Sequence, residues 1–165
     1  MKIGVIADTH IANKTTCLPS EVIQAFKDVD MIIHAGDLVD ACVLKQLKNI
    51  CNDVRAVHGN MDPYELQNNL PTKDIIEAGK FHIGVIHGYG SPKNIIETVS
   101  NEFKGVKLDA IIFGHSHSPT NEKKDGILYF NPGSPTDKVF APFNSYGILN
   151  ITDTIDAKII RMQNG

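Results

Sequence analysis

The chain of 165 residues sets 16 Lys and Arg against 19 Asp and Glu, a formal charge of −3, so it lacks the global basic field that drives non-specific nucleic-acid binding. Hydrophobic residues at 42% and charged ones at 21% argue against the disordered and fibrous classes, and the length fits one domain spanning 1–165. Three cysteines, Cys17, Cys42 and Cys51, form an odd set without a C-x-x-C pair, which argues against a disulfide framework or a cysteine zinc site and suits a reducing cytoplasm.

The first apolar run, "KIGVIA" at 2–7, reads as a buried strand and meets Asp8 too soon for a signal-peptide core. No later run approaches the roughly 18 apolar residues of a membrane helix, so a cytoplasmic protein without membrane contact is expected. "PSEVIQAFKDV" (19–29) predicts a helix with Ser20 as N-cap and Val22, Phe26 and Val29 on one face. A strand in "MIIHAG" (31–36), a helix in "DACVLKQLKNI" (40–50) and a strand in "VRAVHG" (54–59) complete a β-α-β-α-β unit with parallel strands and right-handed crossovers. Residues 11–19, 62–72 and 131–144 read as loops.

From residue 73 the order changes. "KDIIEA" (73–78), Gly79 and Lys80, then "FHIGVIHG" (81–88) predict an antiparallel hairpin, followed by a helix in "SPKNIIETVSNEFK" and a strand in "LDAIIFG" (108–114). "NEKKDG" (121–126) reads as a solvated hairpin tip, and the tail alternates "GILYF", "NPGSP", "SYGILNIT" and "AKIIRM". The expected fold is an α/β sandwich of two mixed β-sheets flanked by helices.

The chemistry lies where the apolar runs stop. Asp8 and His10, Asp37, Asn60, His87, and His115 and His117 follow five of them, and all seven are Asp, Asn or His. Taken alone, Asp37 in "GDLVDA" also suits a helix cap. Strand ends in open α/β sheets line the ligand crevice, so residues from different strands can converge there. Mixed imidazole, carboxylate and amide donors suit Mn²⁺, Fe²⁺, Zn²⁺ or Ni²⁺ better than Ca²⁺ or Mg²⁺, and seven donors suggest two ions. Two divalent ions over two carboxylates leave a positive surplus that attracts a phosphate ester. Such a pair, about 3.5 to 4 Å apart, activates water and clamps phosphoryl oxygens for in-line attack.

In this order over residues 8 to 117, "DTH", "GD", "GN", "HG" and "GHSH" resemble the calcineurin-like metallophosphoesterases. With the closing "NPGS" and no cap domain, the chain is most similar to the small YfcE-type phosphodiesterase branch, which shares its fold with the Vps29 retromer subunit. The resemblance implies a four-layer αββα sandwich. It also implies one metal on Asp8, His10, Asp37 and His117, and a second on Asp37, Asn60, His87 and His115, with Asp37 and a hydroxide bridging. On that basis Asp37, Asn60 and His87 are the expected catalytic residues, and Asn60, Tyr89 and Ser134 the expected substrate contacts.

Two positions depart from the family. Many relatives have His after the Asn of "GN", where this chain has Met61, a thioether with no proton to give. Many read H-G-H at the fourth motif, where this chain reads "HGYG", and Tyr89 either donates to substrate or lines the pocket. His34, His58 and His82 lie inside strand-like runs and read as packing or outer-shell histidines. The expected function is a metal-dependent phosphodiesterase acting on a small-molecule phosphodiester. Mn²⁺ is the first choice of ion, with Ni²⁺, Zn²⁺, Fe²⁺ or Mg²⁺ as alternatives, and a dimer or tetramer is an expected assembly. The competing readings are a protein-binding scaffold of the Vps29 type and a nuclease using the same site.

Overall fold

A computed structural model describes residues 1–12 and 18–163. Most of the predicted 11–19 loop, with Cys17, lies outside the described residues. In chain order the first half runs β1 (Lys2–Ile6), α1 (Ser20–Ala25), β2 (Met31–His34), α2 (Cys42–Ile50), β3 (Val54–Ala56) and α3 (Tyr64–Asn69). The second half runs β4 (Lys73–Ala78), β5 (Phe81–Ile86), a 3₁₀ turn at Pro92–Asn94, α4 (Ile95–Glu102), β6 (Ala110–Ile112), β7 (Thr120–Lys124), β8 (Ile127–Asn131), β9 (Ser145–Ile151) and β10 (Ile155–Arg161).

Two five-stranded mixed sheets result, in the orders β10-β9-β1-β2-β3 and β4-β5-β6-β8-β7. In the first, β1 pairs parallel with β2, placing Val5 opposite Ile33, and β2 pairs parallel with β3. In the second, β5, β6 and β8 are mutually parallel, and β4 closes on β5 as the predicted hairpin.

Side-chain alternation along each strand divides the apolar residues between two faces. Ile3, Val5, Ile33, Ile83, Val85, Ile112 and Phe130 meet between the sheets. Ile6 and Ile32 point the other way, packing with Val22 and Phe26 at α1 and with Val43 and Leu47 of α2. On the far side, Ile111 and Tyr129 pack under Ile95 and Val99 of α4 and Phe103 just beyond it. The molecule is thus an αββα sandwich, with the fully buried Phe26 and Phe130 among its largest core side chains. No helix among the described residues is long and apolar enough to cross a membrane.

Local starts and stops differ from the sequence expectation in three places. Ser20 is the first helical residue and caps nothing; Pro19 precedes α1 without a side-chain cap bond. At α2 the carboxylate of Asp40 instead receives the N–H of Cys42 at 2.8 Å, tying down a donor of the first turn. The predicted 62–72 loop contains α3, which buries only Leu66 and so shows no helical apolar stripe. "NEKKDG" does form a hairpin, with β7 as its outer arm and Asp125 and Gly126 both at positive φ (51° and 85°), the backbone that a tight two-residue hairpin loop requires.

Candidate metal centre

All seven predicted residues lie just beyond strand ends: Asp8 and His10 after β1, Asp37 after β2, Asn60 after β3, His87 after β5, and His115 and His117 after β6. Bonds within and between the two sheets draw these ends together. Gly114 N–H donates to the His87 carbonyl at 3.1 Å, and His115 N–H donates to Asp8 Oδ1 at 3.2 Å. A side chain at Gly114 would place its Cβ 2.9 Å from Asp8 Oδ2, so glycine permits the approach. The same holds at Gly59, where a Cβ would lie 2.1 Å from Asp37 Oδ1.

Five of the seven residues have left-handed backbone: Asp8 (φ 54°), His10 (44°), Asp37 (59°), His115 (66°) and His117 (53°). Non-glycine residues rarely adopt this region, and such strain concentrates at functional sites. Here it turns the chain sharply beyond β1, β2 and β6, and it lets Asp8 and His10, two residues apart, approach one point with His117.

The histidine tautomers follow from their partners, because a carbonyl or carboxylate oxygen only accepts. His87 Nδ1–H donates to the Ala35 carbonyl at 2.8 Å, His115 Nε2–H to the Gly90 carbonyl at 2.9 Å, and His117 Nδ1–H to the Asp137 carboxylate. In its neutral form each ring therefore presents a lone pair inward. His87 Nε2 lies 3.3 Å from Asp37 Oδ2 and 3.9 Å from Asp8 Oδ1. His117 Nε2 lies 3.5 Å from Asp8 Oδ1 and 3.2 Å from His10 Nε2, which is itself 3.5 Å from Asp37 Oδ2. His115 Nδ1 faces Asn60 Oδ1 at 3.1 Å.

Acceptors converging on acceptors require positive charge between them. Among the described residues, the buried polar side-chain atoms left without a hydrogen-bond partner are Asp8 Oδ2 and His87 Nε2, and both are in this cluster. Two overlapping sets, Asp8 with His10 and His117, and Asp8 with Asp37 and His87, each bring their donor atoms within 4.8 Å of one another. Asp8 is thus as central to the cluster as Asp37. The donor types and the orphaned atoms fit divalent ions.

Ionisation in the ion-free chain points the same way. Burial pushes the Asp8 carboxyl up to about 7, against the pull of His87 and His117. Burial also acts against ionised Asp37 and protonated His87, but their attraction to each other, helped by the Met61 N–H at Asp37 and by Asp8 near His87, lowers Asp37 and raises His87. A proton then occupies space that a metal would take.

Tyr89 and Ser134 have hydrogen-bond partners other than substrate, whereas His34 has the supporting place expected of it. Tyr89 does not line the cavity shared by His10, Asp37 and His117 but a second one beside Asn60 and His87, and its hydroxyl donates to Glu102 at 2.9 Å on the exposed surface. Ser134 is fully buried, donating to the Asp8 carbonyl at 2.7 Å and accepting from Asp137 N–H at 2.9 Å, so it holds a loop in place and cannot touch substrate. His34 is fully buried, with Nδ1 accepting from Gly36 N–H and Nε2 bonded to Thr9 Oγ1, which makes it a support beneath the site. Burial pushes its pKa down to about 3.

Two carboxylates hold the site's loops in ways the sequence did not show. Asp62, beside Met61, is buried and accepts the N–H groups of Asp37 (3.0 Å), Gly59 (2.8 Å) and Val39 (2.7 Å), which ties the loops after β2 and β3 together. Asp137 accepts from His117 and from three consecutive backbone N–H groups. Burial would raise the Asp137 carboxyl, but those donors hold it below the usual carboxylate range. The Asp-Pro pair at 62–63 marks a turn; Asp137 lies in an irregular loop that offers no periodic signal.

The sequence profile described as "Calcineurin-like phosphoesterase superfamily domain" matches residues 1–154. A protein of Methanocaldococcus jannaschii named as a probable metallophosphoesterase is 40% identical over 164 residues, 99% of this chain and 82% of that protein. A second protein of the same organism, named as a phosphodiesterase, is 30% identical over 81% of this chain and 83% of its own. The crystal structure of Vps29 from Entamoeba histolytica, described as a zinc complex, has a TM-score of 0.76 at 21% identity, covering 98% of this chain and 99% of that one.

Proposed function

The chain belongs to the calcineurin-like phosphoesterase superfamily, and on that premise we propose that it hydrolyses phosphodiesters with two divalent ions held at the strand-end cluster. Asp8, His10, Asp37 and His117 would hold one ion, and Asp37, Asn60, His87 and His115 the other. The observation that supports this reading most is the convergence of imidazole lone pairs and carboxylate oxygens around the orphaned Asp8 Oδ2 and His87 Nε2. Bound there, divalent ions supply Lewis-acid charge for the phosphoryl oxygens and a water-derived nucleophile near neutral pH.

The protein's own contribution is placement. Ala35, Gly90 and Asp137 fix the tautomers of His87, His115 and His117, so that each presents one defined nitrogen. Asp62 fixes the backbone on which Asp37 is mounted. No described residue beside Asn60 is positioned as a proton donor to the leaving group: Met61 has no acidic proton, and the Asp62 carboxylate is engaged by backbone N–H groups. Solvent then protonates the departing oxygen.

A nuclease reading is disfavoured by the cavity itself, which no described Lys or Arg lines. A scaffold of the Vps29 type shares the fold and, as the zinc complex of the Entamoeba histolytica protein indicates, is compatible with bound metal, so turnover rather than metal binding separates the two readings. The similarity to a protein named as a phosphodiesterase favours the enzyme. Protein stripped of metal and reconstituted with Mn²⁺, Ni²⁺ or Zn²⁺ should hydrolyse an activated aryl phosphodiester, and the Asp37→Asn variant should not. No hydrolysis with any of the three ions overturns the proposal.

A further inference from the structure

Apolar side chains share the cavity with the metal-ligand residues: Met61, Pro92 and Phe140. Phe140 is 75% exposed, and its ring meets the His117 imidazole edge-on, 6.0 Å between centroids. Single exposed apolar residues are ordinary on protein surfaces. The mounting of this one is unusual. Val139, Phe140 and Ala141 donate their N–H groups to the Asp137 carboxylate at 2.8, 3.0 and 2.9 Å, and that carboxylate also receives His117. From behind, Asn144 Nδ2 donates to the Asp137 carbonyl at 2.8 Å and to the Ser134 carbonyl at 3.3 Å. The backbone that presents Phe140 is thereby fixed to the same group that orients a proposed metal ligand.

From this coupling we propose that Phe140, with Met61 on the same cavity, forms a recognition wall for a flat aromatic group attached to the phosphoester. The inference rests on the phosphoester reading above and adds the class of substrate. A cavity of about 550 Å³ falls within the range of small-molecule sites and exceeds what a phosphate group fills. A ring pressed against Phe140 gains aromatic packing, and the Met61 thioether adds a polarizable contact. Because the loop is already ordered, binding immobilises little of the protein.

The test separates the aromatic arm from the phosphorus. Zn²⁺-loaded protein is titrated calorimetrically with phenylphosphonate and with methylphosphonate, which share the anionic head. Phenylphosphonate should bind about tenfold more tightly, the scale of one ring-on-aromatic contact. Phe140→Ala should erase that preference and Phe140→Tyr should keep it. Val139→Ala, on an exposed side chain that does not line the cavity, should also keep it. Equal affinities in the unaltered protein, or a preference that survives Phe140→Ala, overturn the wall while leaving phosphoester binding intact. If neither phosphonate binds, the phosphoester reading fails and the wall fails with it.

Discussion

Met61 occupies two environments at once. Its N–H donates to Asp37 Oδ1 at 2.7 Å, while its side chain, 57% exposed, lines the cavity. Substitution should therefore leave the backbone contact alone and change only the chemistry on the substrate side. Met61→His should bind metal as before and raise turnover of alkyl phosphodiesters at least about tenfold relative to aryl ones, because general acid catalysis matters most for poor leaving groups. Steady-state rates on a matched pair of esters, with metal content measured alongside, check this; no relative gain removes the missing-acid account. His34 makes a second residue-scale prediction. Its folded pKa of about 3 lies below the value near 6.5 expected of an unfolded histidine. The unfolded chain thus binds the extra proton between those limits. The stability contributed by neutral His34 is present above about pH 6.5 and is lost as pH falls toward 3, at up to about 1.4 kcal/mol per pH unit. Urea unfolding at a series of pH values should show a shallower acid limb for His34→Gln.

At the scale of elements, the loops after β2 and β3 behave as one unit because Asp62 accepts from both. Asp62→Asn would turn an amide donor toward one or more of these N–H groups, leaving a buried donor unsatisfied at a cost of about 1–3 kcal/mol. The variant should melt lower and bind metal more weakly, while wild-type affinity in Asp62→Asn would show that the tie does not position Asp37. The alternation of apolar runs and helical stripes made the central strands, α1, α2 and α4 legible in the sequence. It also made the strand-end residues legible, since Asp, His and Asn after buried runs are chemically conspicuous. Asp62 and Asp137 were not legible, because a carboxylate that receives backbone N–H groups depends on loop geometry and leaves no period in the sequence. Tyr89 and Ser134 illustrate the converse. Proximity in sequence to a motif said nothing of where the side chain turned, and Glu102 and the Asp8 carbonyl took the two hydroxyls.

For the molecule as a whole, the cluster is a destabilising element until charge is supplied. Asp8, pushed up to about 7, keeps a proton that the unfolded chain releases near pH 4. Its contribution to stability therefore falls as pH rises from about 4 to 7, the opposite sense to His34. Bound divalent ions replace that proton, so adding Mn²⁺ or Zn²⁺ should raise the melting temperature and chelator should lower it. The expected gain is about 2.7 kcal/mol at a hundredfold excess over the dissociation constant. Protons on Asp8 and on His87, whose pKa is raised, compete with metal, so the increment should be larger at pH 8 than at pH 6. Calorimetric scans with and without metal at the two pH values check the sign; an increment independent of pH would place the ions elsewhere.

The left-handed backbone at Asp8, His10, Asp37, His115 and His117 also governs how a mutational scan of this protein should be interpreted. Asparagine and aspartate tolerate that conformation, whereas alanine there adds about 1–2 kcal/mol of backbone penalty to the loss of a ligand. Alanine scanning would consequently confuse a broken turn with a missing donor at five of the seven positions. Asp37→Asn and Asp37→Ala should both lose metal and the attraction to His87, but the alanine form should lower the melting temperature of the metal-free chain further than the asparagine form. The useful reference protein without ions is the asparagine one.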